Sequence, residues 1–334
     1  VTDVLSQRAL NRATLARQNL LERAPAPAID MIEHLGGMQS QAPLAPYVGL
    51  WTRLQDFAPD ELSALTEERQ VVRLSLMRNT EHLVSARDCL GWRPLFYPLH
   101  AAEFQAHYRS GTEGVDRDAL VRQAKQLLEE QPRTRGELAK LLAERWPEAD
   151  PGVLAYAVTH HVALCQVPPR GIWGKNGPAV WALVESWLNA PLRPVPVEAL
   201  VVRYLGAFGP ATVADIQVWS GLTRLREVVE RLPLRTFRGE AGQALHDLPD
   251  APRPAEDIPA PPRSCPNTTT CCCRTKTAPE CSPTTGLCRS RRATAQRLAP
   301  SWSTACGKAP GRFATGHYAS SRLPTFGART GTRC

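Results

Sequence analysis

The chain has 334 residues, 43% of them hydrophobic and 22% charged, with a net charge of +8. That composition suits a globular protein of about two domains, or three small ones. No run of eighteen apolar residues exists to form a transmembrane helix, and Asp3, Arg8, Arg12 and Arg17 interrupt any export-signal core, so a cytoplasmic protein with no membrane partner is expected.

In chain order, residues 4–23 place Leu5, Leu10, Leu15, Leu20 and Leu21 on one side of a helix, and residues 29–37 form a second, closed by Gly36-Gly37. A third helix follows Pro59 through Leu62 and Leu65. Residues 71–76 and 81–84 read as two strands joined at Arg78-Asn79-Thr80, and helices followed by a hairpin is the order of a winged helix. The order recurs. Residues 116–130 make an amphipathic helix, and Thr134 with Glu137 makes a capping box that opens a helix to Arg145. Pro151 opens another, running to about Leu164, with residues 166–167 and 171–173 as a short wing. In the third unit a helix spans 197–207, and Thr212 caps a second with Val213, Ile216 and Trp219 facing inward. After a tight turn at Ser220-Gly221-Leu222, Thr223 caps a third helix with Leu225, Val228, Val229 and Leu232 at helical spacing, a helix-turn-helix pattern. Residues 234–237 and 244–248 then pair around 239–242 as its wing.

The expected class is therefore mainly α with small β-hairpins (α+β), built as tandem winged helices. The units run over 1–110, 111–192 and 193–250, with a Pro-rich linker and a basic, Cys-rich, poorly ordered tail over 251–334. Cys89 and Cys165, in the body, are expected to be buried structural thiols.

The tail breaks the composition. Residues 1–263 hold 29 Lys and Arg against 31 Asp and Glu, whereas residues 264–334 hold 11 against the single Glu280, together with eight of the ten cysteines. A disulfide module needs an oxidising compartment. Cys271-Cys272-Cys273 is a poor start for a zinc site, and Cys281 and Cys288 are too far apart for a knuckle. A basic nucleic-acid arm accounts for the charge but not for the cysteines. A shifted reading frame accounts for both. Read one nucleotide back, Cys-Cys always becomes Leu, and consecutive Thr codons become Tyr, His, Asn or Asp. Residues 263–273 are then compatible with F-L-P-E-Y-D-N-L-L-L, and residues 300–311 with V-L-V-D-G-L-W-Q-G-T-W.

The stretch from His34 through Gln39-Ser40-Gln41 to Arg53, with Met77-Arg78-Asn79-Thr80-Glu81-His82-Leu83-Val84 and Phe208-Gly209-Pro210-Ala211-Thr212-Val213-Ala214-Asp215, resembles the bacterial winged-helix family that contains the AlkZ-type DNA glycosylases. The resemblance covers roughly residues 4–263, and the back-read tail is similar to the family's next segment. It implies tandem winged helices that bind double-stranded DNA, and in the glycosylase members excision of alkylated or crosslinked purines through a Gln-x-Gln motif. That motif falls on Gln39 and Gln41 as catalytic residues, with Ser40 where an aliphatic or small residue is usual. Many relatives are only DNA-binding, so a non-catalytic binder or regulator, or an inactive frameshifted product, is the alternative.

The chemistry can be weighed on its own. In an extended segment, residues i and i+2 point to one side, so Gln39 and Gln41 can converge. An amide is no strong base, but it can hold a water and stabilise developing positive charge. That suffices only for a leaving group that needs no protonation, such as a cationic N7-alkylpurine. The two amides could equally satisfy backbone groups at a helix end. Asp30 and Glu33 flank the motif on a helix, as first-turn and surface acids commonly do. With a body of net charge −2, any DNA surface must be a patch. Arg53, Arg73, Arg78, Arg224, Arg226 and Arg235 are the supply, joined by Thr80 and His82, which with Arg78 would alternate onto one strand face. Adjacent residues in a helix point apart, which argues against His160-His161 as a metal pair. No cofactor and no metal are expected, and the protein is expected to be a monomer.

Overall fold

A computed structural model describes residues 3–263. The expectations for residues 264–334, both the basic arm and the shifted frame, lie outside the described residues. Val4–Leu5 (β1) is drawn out as a strand parallel to residues 238–239. The first helix, Gln7–Arg17 (α1), therefore starts later than the leucine spacing predicts, with Ser6 Oγ accepting from Ala9 N at 3.0 Å as its cap. It ends at Arg17 and not at residue 23, because Asn19 takes a left-handed conformation (φ 53°) that no helix continues through.

Ala28–His34 (α2), Met38–Gln39 (β2), Ala45–Arg53 (α3) and Pro59–Glu67 (α4) follow. Proline opens α4, with Asp60 and Glu61 in its first turn where the helix dipole favours them. The hairpin is Val71–Ser75 (β3) and Glu81–Ser85 (β4) around a 3-10 turn at Met77–Asn79. Ala86–Trp92 (α5) and Tyr97–His107 (α6), which the apolar spacing did not announce, lead to Arg117–Glu130 (α7). Arg133–Thr134 (β5), Arg135–Arg145 (α8) with its capping box, Pro151–His161 (α9), Leu164–Val167 (β6), Val180–Leu183 (β7) and Val184–Leu188 (α10) complete the middle of the chain. The partner of β6 is β7, not residues 171–173 as the sequence predicts. The intervening loop packs on α3 instead, where Tyr47 Oη donates to Gly171 O at 2.9 Å and accepts from Trp173 N at 3.1 Å.

Val197–Phe208 (α11), Val213–Ser220 (α12) and Arg226–Arg231 (α13) precede the hairpin of Arg235–Gly239 (β8) and Ala244–Asp247 (β9). Thr212 and Asp215 form a full capping box on α12, and Gly221 ends it at φ 81°. Thr223 does not cap α13. Arg224 at φ 60° delays the helix by a turn, and Leu225 takes the cap position.

Two sheets organise these elements, in the orders β1-β8-β9 and β2-β4-β3-β6-β7-β5. In the larger sheet, β3 meets β6 through one register pair, Arg73 with Gln166. One core packs α2, α5 and α11–α13 on the hairpin, with Leu50, Leu76, Val84, Tyr204 and Ile216 at its centre. Cys89 and Cys165 lie in it as buried free thiols, with burial pushing the Cys165 thiol up to about 12. The other core packs α6–α9 around Phe104, Leu138, Leu142 and Leu154. The fold class is α+β, as the sequence predicts. Among the described residues, no helix is long and apolar enough to cross a membrane and no cluster of metal-ligating side chains occurs.

At the base of the third helical group lies a fully buried ion pair. Arg17 donates to both carboxylate oxygens of Asp247 at 2.6 and 2.9 Å, and to Leu205 O at 2.9 Å and Pro252 O at 3.1 Å. It ties α1 to α11, β9 and the segment beyond. Asp247→Asn would leave this guanidinium buried without its charge partner, and we expect it to lower the unfolding free energy in denaturant titrations by about 3–5 kcal/mol.

The second core also encloses ionisable rings. His100 donates from Nε2 to Leu76 O at 2.7 Å, and burial lowers its pKa to about 3. His161, edge-on to Phe104 at 5.2 Å, is lowered to about 4, again chiefly by burial. A depressed imidazole pKa means that the unfolded chain takes up the proton first. The stability these rings contribute is thus complete above about pH 6.5 and is lost as pH falls through their folded values. We expect the melting temperature to begin falling below about pH 6.5, and His100→Gln and His161→Phe each to flatten that fall.

Candidate functional site

The Gln-x-Gln segment is shaped by the two glycines before it. Gly36 and Gly37 adopt φ 66° and 90°, and a Cβ on Gly37 would sit 2.5 Å from Val84 Cγ1. Only glycine lets the chain turn out of α2 and lie directly on β4. Met38 then enters the core, Gln39 pairs opposite His82, and Ser40 N donates to Glu81 O at 2.8 Å. Gln41 leaves the sheet, is exposed, and its Oε1 accepts from Glu81 N at 3.2 Å. The two amides have different surroundings. Gln41 lines a cleft, whereas Gln39 is buried in β2 with its Oε1 making no hydrogen bond.

The cleft has a volume of about 180 Å³ and lies between the β3–β4 hairpin and the α8, α9 and β6–β7 elements. Gln41, Asn79, Glu81 and Gln166 supply its polar surface, and Tyr156 and Trp181 its rings. His160 sits across from the hairpin turn. Its Nδ1–H donates to Tyr156 O at 2.9 Å, which leaves Nε2 to accept from Asn79 Nδ2 at 2.9 Å. Burial lowers the His160 pKa, so the ring is neutral near pH 7, the state this bonding requires. Under the cleft, Arg73 donates from Nε to Ser40 O at 2.9 Å and to Ser40 Oγ at 3.2 Å, and from Nη1 to Gln166 Oε1. Arg135 lies over the Tyr156 ring at 5.0 Å.

The arginines singled out in the sequence divide by burial. Arg53 is 1% exposed and donates to Gly49 O at 2.9 Å and Gln18 Oε1 at 3.0 Å. Arg73 is likewise buried in the sheet. Neither presents its charge to solvent. His82 is buried too, with its Nδ1–H donating to Thr80 O at 2.8 Å. The alternation expected of Arg78, Thr80 and His82 does not form, because Arg78 sits in the 3-10 turn at φ 54° and β4 begins only at Glu81. Arg78 reaches Trp219 O, and Thr80 Oγ1 donates to Met77 O at 3.1 Å. Arg224, Arg226 and Arg235 are exposed on the third helical group, as is Arg238, which the sequence reading passed over. Arg235 stacks on Phe237 at 4.9 Å and lies 3.8 Å from Asp3. Glu33 is held by Arg87 at 2.5 Å, and Asp30 is exposed on α2, so neither acid lines the cleft.

His160 and His161 do point apart, one to this cleft and the other to a separate hollow beside α7. Glu81, Asn79, Tyr156, His160, Gln166 and Trp181 were not recognised as site residues. Glu81 and Asn79 stood inside a quoted motif, and the extended segment at 81–84 was a usable signal. The other four reach the cleft only through the pairing of β3 with β6.

A family model described as DNA glycosylase AlkZ-like matches residues 32–264. No curated protein matches the chain. Among solved structures, the Streptomyces sahachiroi DNA glycosylase AlkZ is similar, with a TM-score of 0.61 and 21% identity over 74% of this chain and 71% of that one. At that identity the likeness is one of fold.

Proposed function

Because this chain belongs to the AlkZ-like DNA glycosylase family, we propose that it hydrolyses the N-glycosidic bond of alkylated, cationic purines in double-stranded DNA, and that the cleft beside Gln41 receives the base. The observation that carries this reading is the make-up of the cleft. It sets an exposed amide, Gln41, against two aromatic rings and a neutral histidine, the combination that reads a flipped base by stacking and hydrogen bonds. A cationic base leaves without being protonated, so amides that orient water and sugar can be enough. Gln41 acts from the cleft wall, and Gln39, buried in β2 outside the cleft lining with its Oε1 unbonded, is proposed as the second amide of the pair on the strength of the Gln-x-Gln motif.

In this reading α12, α13 and the β8–β9 hairpin act as a helix-turn-helix with its wing. Arg224, Arg226 and Arg235 meet phosphates, Arg78 and Thr80 act at the hairpin turn, and the buried Arg73 braces the Gln-x-Gln segment through Ser40. On duplex DNA carrying N7-methylguanine, we expect base release, and we expect Gln41→Ala to lower its single-turnover rate by about 10²-fold while DNA binding persists. Binding without release by the unaltered chain would favour a non-catalytic DNA-binding protein.

A second reading concerns residues 264–334. The family match ends at residue 264, one position past the break in composition after Arg263. That coincidence favours a shift of reading frame near the codons for Arg263 and Ser264. Restoring the frame is expected to raise base release above that of the chain as it stands. An unbroken frame in independent gene sequences, with the same Cys-rich tail found by mass spectrometry, would overturn it.

A further inference from the structure

One group in the cleft is left unexplained by the glutamine pair. Glu81 opens β4 and is the one carboxylate among the described residues lining the cleft. Its main chain is held on both sides, with its carbonyl accepting from Ser40 N at 2.8 Å and its N–H donating to Gln41 Oε1 at 3.2 Å. Its side-chain Oε1 accepts from Ser75 Oγ at 3.0 Å, while Oε2 is buried and takes no hydrogen bond. A desolvated carboxylate oxygen without a donor is costly, and native structures rarely keep one without a use. The charged groups around it are otherwise positive. Arg93 and Arg135 line the same cleft, and Arg73 lies beneath. Burial lowers the Arg73 pKa, and the nearby Glu81 charge opposes that shift. A cation entering this cleft is repelled by each arginine and attracted by Glu81 alone among the formal charges of its lining.

We propose that Glu81 is a catalytic residue of the hydrolysis, its carboxylate offsetting the positive charge that develops on the deoxyribose and, once the side chain turns the buried Oε2 into the cleft, receiving the proton of the attacking water. This rests on the glycosylase reading given above. In the step, the C1′–N9 bond breaks and its electron pair stays with the base, so an N7-alkylated purine cation departs neutral. The water oxygen forms the new bond to C1′, and its proton passes to Glu81 Oε2 and then to solvent. No redox partner is required. Ser75 is a positioning residue, because it holds Oε1 and so directs Oε2. The bond from Glu81 N–H to Gln41 Oε1 ties the Gln41 amide to the main chain that carries the carboxylate.

The test uses the full chain and two duplexes that cannot react. One carries a pyrrolidine abasic analogue, whose protonated ring nitrogen mimics the charged sugar, and the other a neutral tetrahydrofuran analogue. Fluorescence anisotropy is expected to show the pyrrolidine duplex bound at least about tenfold more tightly, about 1.4 kcal/mol. Glu81→Gln, an isosteric change whose folding is checked by its melting temperature, is expected to bring the ratio close to one, and Glu81→Asp to keep part of it. A merely structural role would weaken both duplexes alike and leave the ratio intact, and an intact ratio in Glu81→Gln overturns the proposal. On N7-methylguanine duplex, Glu81→Gln is expected to slow the single-turnover step without weakening binding. Release at an equal rate in Glu81→Gln overturns the Glu81 assignment alone, whereas no release by the unaltered chain overturns the glycosylase reading and this inference with it.

Discussion

The Arg73 guanidinium holds the candidate site together. It bonds the carbonyl and hydroxyl of Ser40, between the two glutamines, and the side chain of Gln166 on β6. It does so from the only register pair that joins β3 to β6 among the described residues. A planar fork with five donors grips two elements at once in a fixed geometry, which the point-like lysine ammonium does not offer. Burying such a charge is tolerable because several acceptors and the Glu81 carboxylate surround it. Through this contact the first hairpin and the second helical group share one sheet, and the cleft is the gap left between them.

That origin explains the chemistry of the cleft. One side comes from the hairpin and the Gln-x-Gln segment, and brings amides and a carboxylate. The opposite side comes from α8, α9 and β7, and brings rings and a neutral histidine. Neither half is a site alone. The tautomer of His160 depends on both, since Tyr156 O takes its Nδ1 proton from within α9 while Asn79 reaches Nε2 from the hairpin turn. The result is a place where a ring can be stacked and a developing positive charge can meet an anion, within a lining whose other formal charges are cationic.

Charge is used differently in the rest of the body. With a net charge of −2 over residues 1–263, no broad positive field surrounds this body. Several arginines are spent inside: Arg17 on Asp247, Arg53 on Gln18 and Gly49, and Arg73 in the sheet. The exposed arginines of α13 and β8 stand apart from these structural ones and are the charge available to a phosphate backbone.

The sequence alone determined whatever is decided within one turn or one pair of neighbouring strands. The capping boxes at Thr134 and Thr212 are each closed by a residue three positions on. The hairpin at 71–85, the turn at Gly221 and the buried thiols of Cys89 and Cys165 were legible for similar local reasons. The Gln-x-Gln segment was legible as a motif, but the separation of Gln39 into the sheet and Gln41 into the cleft was not. Only the tertiary structure decided which arginines are buried, why Val4-Leu5 is a strand, and that Glu81 lines one cleft with Tyr156, His160 and Trp181. Each of these depends on a partner far along the chain: Asp247 for Arg17, Gln166 for Arg73, residues 238–239 for β1. Periodicity and capping carry no information about such partners, because the free energy that selects them comes from burial and from satisfying polar groups across the whole core.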